Sequence, residues 1–201
     1  MVIVGILGLQ GAIEPHEEIL NGLKVNHRRV TEPSHLKGLA AIILPGGEST
    51  TMLRLLHTRH LFQPLKEFCN NNPTWGVCAG AILLARKVLS PVQESLEIIN
   101  IVAERNAYGS QLDSFSAVVE PLLPSARNDI NHDLLKSMSV DFIRAPKLSL
   151  GSSIDNPKRD VHCIYTYQNE PVGFIEGKCI VTSFHTELRG ISHLHELLLS
   201  L

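Results

Sequence analysis

The chain has almost no net charge: 18 basic residues against 20 acidic ones leave −2 over 201 residues. Its basic runs are short, His27-Arg28-Arg29 and Lys158-Arg159, so the electrostatic footprint of a nucleic-acid or membrane-surface binder is missing. Cysteine is also scarce. Cys69, Cys78, Cys163 and Cys179 form no C-x-x-C pair and have no metal-ligand spacing, which signals neither a disulfide framework nor a metal site and fits a reducing, cytoplasmic setting. No stretch of 18 apolar residues occurs. The apolar start, Val2 to Leu9, is broken by glycines, lacks a basic flank and is too short to span a bilayer, so it reads as a strand. Aromatic residues are only 5% of the chain, yet 44% is hydrophobic, enough for one substantial core and short for two. The expectation is a single domain over residues 1–201.

What is present has a regular texture. Val2–Leu9 is followed by a turn at Gln10-Gly11 and a helix through Glu14 to Leu23. Leu39 to Leu44 is a second all-apolar strand, ended by Pro45-Gly46-Gly47, with Ser49 or Thr50 placed to cap a helix through Leu56. Phe62 to Asn70 gives a further helix before a strand at Trp75. Continuous apolar strands alternating with helices predict a mainly parallel sheet covered on both faces. After residue 96 come short β-type runs at 98–102, 117–119, 140–143, 161–167, 172–175 and 179–184, then an amphipathic helix at 191–201. Polar stretches at 124–133 and 151–160 read as surface loops.

The most informative stretch is Gly76-Val77-Cys78-Ala79-Gly80, between a buried strand and a helix over Ala79 to Ala85. A tight strand-to-helix turn exposes its central side chain, as in the G-x-S-x-G nucleophile elbow. There the helix N-terminus favours a thiolate, and the N–H of Ala79 supplies half an oxyanion hole. A small cysteine packed behind a strand fits the same residues.

A cysteine nucleophile needs a base and the base an orienting group. Of ten histidines, His16, His193 and His195 fall in helices, His57 and His60 flank a helix end and His132 sits in a polar loop. His185 ends an apolar run and has Glu187 two residues on. If the chain stays extended, both side chains project to one face, the geometry of an acid-oriented imidazole, although a solvated His-Glu pair has the same spacing. Leu44 to Thr51 follows a strand and opens a helix without the lysine of a phosphate-binding P-loop, a loop suited to offer a Gly47 N–H to an oxyanion.

Six blocks then carry a resemblance: Gly8-Leu9-Gln10-Gly11; Leu44 to Thr51; Gly76 to Gly80; Arg105 to Gln111 with Ser114-Phe115; Phe142-Ile143-Arg144-Ala145-Pro146; and Ser183 to Leu188. In order and over residues 2–188, they resemble the glutaminase subunits of pyridoxal 5′-phosphate synthase, within the class I (triad) glutamine amidotransferases. The resemblance implies a three-layer α/β/α, flavodoxin-like sandwich with a mainly parallel central sheet. It implies Cys78 as nucleophile, His185 as base and acid, and Glu187 as orienting carboxylate. Gly47, Glu48, Ser49, Arg105, Ile143 and Arg144 would hold L-glutamine, with Gly47 and Ala79 at the oxyanion and Gln10 and Gly46 in the adjoining loops. Ammonia would pass to a separate (β/α)₈ synthase subunit that docks near residues 14–23, and no metal or organic cofactor is required.

The chain departs from the pattern in three places. Thr186 stands where the family usually has proline, which removes a constraint between His185 and Glu187; Leu188-Arg189-Gly190 replaces an acidic run; Ser110 replaces an arginine. These leave two alternatives open, a glutaminase serving another synthase and a catalytically silent regulatory subunit.

Overall fold

The computed structural model describes residues 2–105, 114–123, 129–151 and 160–201. Three-quarters of the strands among the described residues join one sheet. Its parallel half contains β1 (Ile3–Leu7), β2 (Asn26–Val30), β3 (Ala41–Leu44), β4 (Thr74–Val77) and, from the end of the chain, β12 (Cys179–Thr182). A second group, β5 (Ala85–Leu89), β6 (Ile99–Glu104) and β9 (Lys147–Leu150), forms a separate three-stranded sheet. The remaining strands, β7 (Ser114–Pro121), β8 (Met138–Ile143), β10 (Val161–Tyr167) and β11 (Glu170–Glu176), continue the large sheet antiparallel, in the order β2-β1-β3-β4-β12-β11-β10-β7-β8. The expected layered α/β class is therefore the one found; within the large sheet the parallel pairs are confined to β2, β1, β3, β4 and β12, and β5 and β6 also pair parallel in the small sheet.

The alternation of each parallel strand explains the layers. Val4 and Ile6 of β1, Ala41 and Ile43 of β3, and Trp75 and Val77 of β4 face one side, where they pack with Ile13 and Leu20 of α1 (Ile13–Gly22) and Leu194, Leu197 and Leu198 of α5 (His193–Ser200). Leu7, Ile42 and Leu44 face the other, against Met52 and Leu56 of α2 (Ser49–Thr58), Leu65 and Cys69 of α3 (Phe62–Asn71) and the apolar α4 (Ala79–Leu84). Full burial of each large aliphatic side chain is worth about 1.5–3 kcal/mol, so both faces of the strands contribute to holding the layers.

One local expectation changes. The α2 cap is the Glu48 side chain, which accepts from the N–H groups of Thr50 (3.2 Å) and Thr51 (2.5 Å), not Ser49 or Thr50 themselves. The basic run His27-Arg28-Arg29, given no secondary structure from sequence, is the middle of the edge strand β2, where Arg29 bonds Glu17 of α1 through Nε at 2.7 Å and Nη2 at 2.6 Å.

Candidate active site

Every parallel strand end points its loop to one edge, and the chemistry collects there. Cys78 sits between β4 and α4 with φ 48° and ψ −99°, a conformation that costs a non-glycine residue about 1–3 kcal/mol and persists only when its surroundings fix it. They do: the Cys78 N–H donates to Thr182 O at 2.8 Å, and its carbonyl accepts from Ile82 N at 3.1 Å. Gly80 lets α4 lie this close, because a Cβ there would run into the Leu44 carbonyl of β3. The strand-to-helix elbow expected from the sequence is thus formed, and Ala79 is the first residue of the helix.

His185 enters from the far side of β12. Its backbone exchanges two hydrogen bonds with Asp141 of β8, His185 N to Asp141 O at 2.8 Å and Asp141 N to His185 O at 3.2 Å. The Asp141 carboxylate in turn holds Arg189 at 2.6 and 2.9 Å. The His185 Nδ1 and Glu187 Oε1 lie 2.6 Å apart, with side-chain exposures of 6% and 0%. The route to that pairing differs from the expected extended strand. Thr186 turns helical (φ −96°, ψ −30°) and Glu187 begins a 3-10 turn through Arg189, so the carboxylate folds back beneath the ring. Thr186 in place of proline does not loosen the pair.

The electrostatics match the geometry. Burial works against a charged His185, but the neighbouring Cys78 sulfur and the Glu187 carboxylate outweigh it and lift the imidazole to about 10. Burial likewise opposes the Glu187 carboxylate, and the His185 ring overcomes it, holding Glu187 below the usual carboxylate range. The Nε2 of His185 has no ordinary hydrogen-bond partner, and Cys78 Sγ is directed at the Ile143 carbonyl, 3.8 Å away.

These groups face a cavity of about 350 Å³ lined by Gln10, Gly46, Gly47, Glu48, Ser49, Cys78, Arg105, Ile143, Arg144 and His185, together with Gly11, Ala12, Ile82, Pro146 and Leu188. It gathers all the expected substrate-holding positions. A Cβ at Gly46 would run into the His185 ring, so the loop after β3 also forms a wall against the imidazole. The two glycine turns are tied together, Ala12 N to Gly46 O at 3.0 Å and Glu48 N to Gln10 Oε1 at 2.8 Å. Glu48, one of the positions expected to hold L-glutamine, is also engaged by its own helix. Burial raises its carboxyl, but the bonds from Thr50 and Thr51 win and hold it at about 2, and Arg105 Nη2 lies 3.5 Å from Oε1. The expected block Asn106 to Gln111, Ser110 included, lies outside the described residues, as do 124–128 and 152–159 of the two polar loops.

Gln93 was not legible as a site residue. Its Oε1 accepts from Ser49 Oγ and from Arg105 Nη1, both at 3.0 Å, so one amide fixes two cavity-lining side chains. Its position in an irregular segment carries no motif; only the fold brings it to Ser49.

Behind the site, His16 and His195 are fully buried. Burial is the main cause that lowers His16 to about 4, offset in part by Glu187 and reinforced by His185. Burial and then His16 hold His195 well below 6.5. Unfolding restores both rings to ordinary proton affinity, so as pH falls from 6.5 toward 4 the unfolded chain takes up protons the folded one refuses, and stability drops. The raised His185 acts on the other side: its contribution is complete below 6.5 and is lost as pH rises through about 10. The depressed Glu187 contributes above 4.5 and is lost as pH falls through its lower value in the folded chain. Urea resistance should therefore peak close to neutrality and fall by about 3 kcal/mol toward pH 4 from His16 alone. A urea midpoint that stays level from pH 6.5 to 4.5 would contradict this.

The model of the SNO glutamine amidotransferase family matches residues 6–199. The pyridoxal 5′-phosphate synthase subunit PdxT of Solibacter usitatus is 41% identical over 197 residues, covering 98% of this chain and 97% of its own length. The protein of that name from Dictyoglomus turgidum is 39% identical, covering 96% and 95%. A crystal structure of a glutamine amidotransferase superposes with a TM-score of 0.83 at 34% identity, over 98% of this chain and 96% of that one. Because the family match runs from β1 into α5 and takes in the elbow, the glycine loop and the acid turn, the chain belongs to the SNO glutamine amidotransferase family.

Proposed function

We propose that this chain is the glutaminase subunit of a pyridoxal 5′-phosphate synthase, acting in the cytoplasm, and that Cys78, His185 and Glu187 are its catalytic residues. The observation that carries the catalytic reading is the 2.6 Å His185–Glu187 pair beside a strained cysteine at the wall of a 350 Å³ cavity. The cavity's dimensions suit one amino acid. Arg105 and Arg144 supply cationic partners for the α-carboxylate of L-glutamine, and backbone carbonyls of the Gly46–Ser49 loop are the available partners for its ammonium.

In this reading the Cys78 thiolate adds to the side-chain carboxamide carbon and the carbonyl oxygen becomes an oxyanion, met by the N–H groups of Gly47 and Ala79. The imidazolium of His185 gives its proton to the departing nitrogen, the C–N bond breaks, and ammonia and a γ-glutamyl thioester remain. Water then attacks the thioester with His185 as base, and the C–S bond breaks to release glutamate and the thiolate. Glu187 stays ionised throughout and stabilises the imidazolium.

The ammonia goes to a (β/α)₈ synthase subunit. Ala12 at the start of α1 bonds Gly46, so a partner seated on α1 acts on the oxyanion loop through one hydrogen bond. Glu14 and Glu17 are engaged by Arg29, whereas Glu18 is exposed and makes no ion pair among the described residues. Glu18 is therefore the informative position for charge reversal. The isolated chain should be a poor glutaminase, and glutamate release should rise at least tenfold across a titration with the synthase, since one oxyanion donor is worth about 10²–10³ in rate. Glu18→Lys should weaken that rise. A rate already maximal without synthase would refute the coupling.

A further inference from the structure

The His16–His195 pair is a costly thing to bury, and neither ring takes part in the steps above. His16 Nδ1 and His195 Nε2 lie 2.9 Å apart, and both rings meet Trp75 edge-on, at centroid distances of 5.4 and 4.9 Å. α1, which carries His16 on its inward face, packs against the 3-10 turn that carries Glu187. On these two elements two buried polar atoms have no hydrogen-bond partner, His16 Nε2 and Glu187 Oε2. The Glu187 carboxylate acts on His16, favouring a proton on its ring against the effect of burial.

Proton counting sets the direction of the pair. Two neutral imidazoles share one hydrogen bond, so either His16 donates from Nδ1 and leaves a bare lone pair at Nε2, or His195 donates from Nε2 and His16 keeps its proton on Nε2. The first choice turns a lone pair toward a buried carboxylate. The second turns an N–H toward it.

Resting on the glutaminase reading, we infer that His16 is a positioning residue for Glu187: its Nε2–H is presented to the second carboxylate oxygen, in a tautomer locked by donation from His195. The chain of orientation then runs from His195 through His16 and Glu187 to His185 and Cys78. It ties α1 to the acid end of the triad, as the Ala12–Gly46 bond ties the same helix to the oxyanion end. A neutral donor suits this place, because it steadies the carboxylate without neutralising the charge that His185 needs.

Imidazole ¹⁵N shifts of the full chain at pH 7 test the tautomer, and kinetics with the synthase present test the role. His16 should show a protonated Nε2 and a bare Nδ1. His16→Leu should lower kcat about tenfold with KM within twofold, and lower the rate of Cys78 alkylation by iodoacetamide. His16→Gln, whose carbonyl accepts from His195 while its amide donates to Glu187, should keep at least half the wild-type kcat. A proton on Nδ1, a wild-type kcat in His16→Leu, or a His16→Gln as slow as His16→Leu would each overturn the inference. If His16→Leu fails to fold, the wild-type ring shifts and the Gln variant still decide. A wild-type chain that turns over no glutamine with synthase present would instead sink the glutaminase reading, leaving the tautomer to be read independently.

Discussion

Cys78→Ser should reduce glutamine hydrolysis by about 10⁴-fold or more and abolish labelling by glutamine-like alkylating agents. The hydroxyl is far less acidic than the thiol, and the site holds an imidazolium poised for a thiolate, so serine leaves the cavity intact and the nucleophile absent. The other cysteines offer no substitute. Burial pushes Cys69 up to about 12, and burial also raises Cys163. Cys179 is buried in β12, away from the cavity. Substituting any of these three should leave labelling intact. Mass spectrometry of the alkylated chain decides the matter, and persistent labelling of the Cys78→Ser protein would remove the nucleophile from the reading. Supplied with ammonium salts, the assembled synthase should still form product with this variant, because only the release of ammonia is lost.

Much of this site was legible because its signals are local. Gly76-x-Cys78-x-Gly80 marks an elbow from five residues, and the helix that follows demands glycine where it crosses β3 at Leu44. The parallel half of the sheet was legible from unbroken apolar strands. β2 was not: Asn-His-Arg-Arg-Val buries only its last residue, and its pairing with β1 comes from the edge position, which no periodicity announces. The His185–Glu187 spacing fits strand alternation, yet the contact is made by a turn. Gln93 and the His16–His195 pair share a different obstacle. Their partners lie 44 and 179 residues away, and a histidine on an amphipathic helix looks the same in sequence whether it faces solvent or an acid.

The second large effect separates base from orienter. His185→Ala removes the group that holds the thiolate, protonates the leaving nitrogen and activates the water, so three functions disappear at once. General acid–base catalysis contributes about 10²–10⁴-fold, and the loss should reach or exceed the upper part of that range. Glu187→Gln leaves the imidazole in place, still fixed through its backbone by Asp141 at 2.8 and 3.2 Å, but replaces a buried anion with a neutral amide. Without that charge the imidazolium loses one of the two groups that hold it near 10, and the ring proton is free to move to the other nitrogen. The Glu187→Gln loss should therefore be smaller than that of His185→Ala, about 10²-fold, and it should carry a pH signature. The pH above which glutamine hydrolysis declines should fall in Glu187→Gln, because a less stabilised His185 imidazolium gives up its proton earlier and the leaving nitrogen loses its acid. Glutamate release measured from pH 5 to 10 on the wild-type and Glu187→Gln chains checks this. A Glu187→Gln protein as inactive as Cys78→Ser would give the carboxylate a direct chemical role, and one with wild-type rate and profile would strip it of the orienting role, since the 2.6 Å contact would then be only structural.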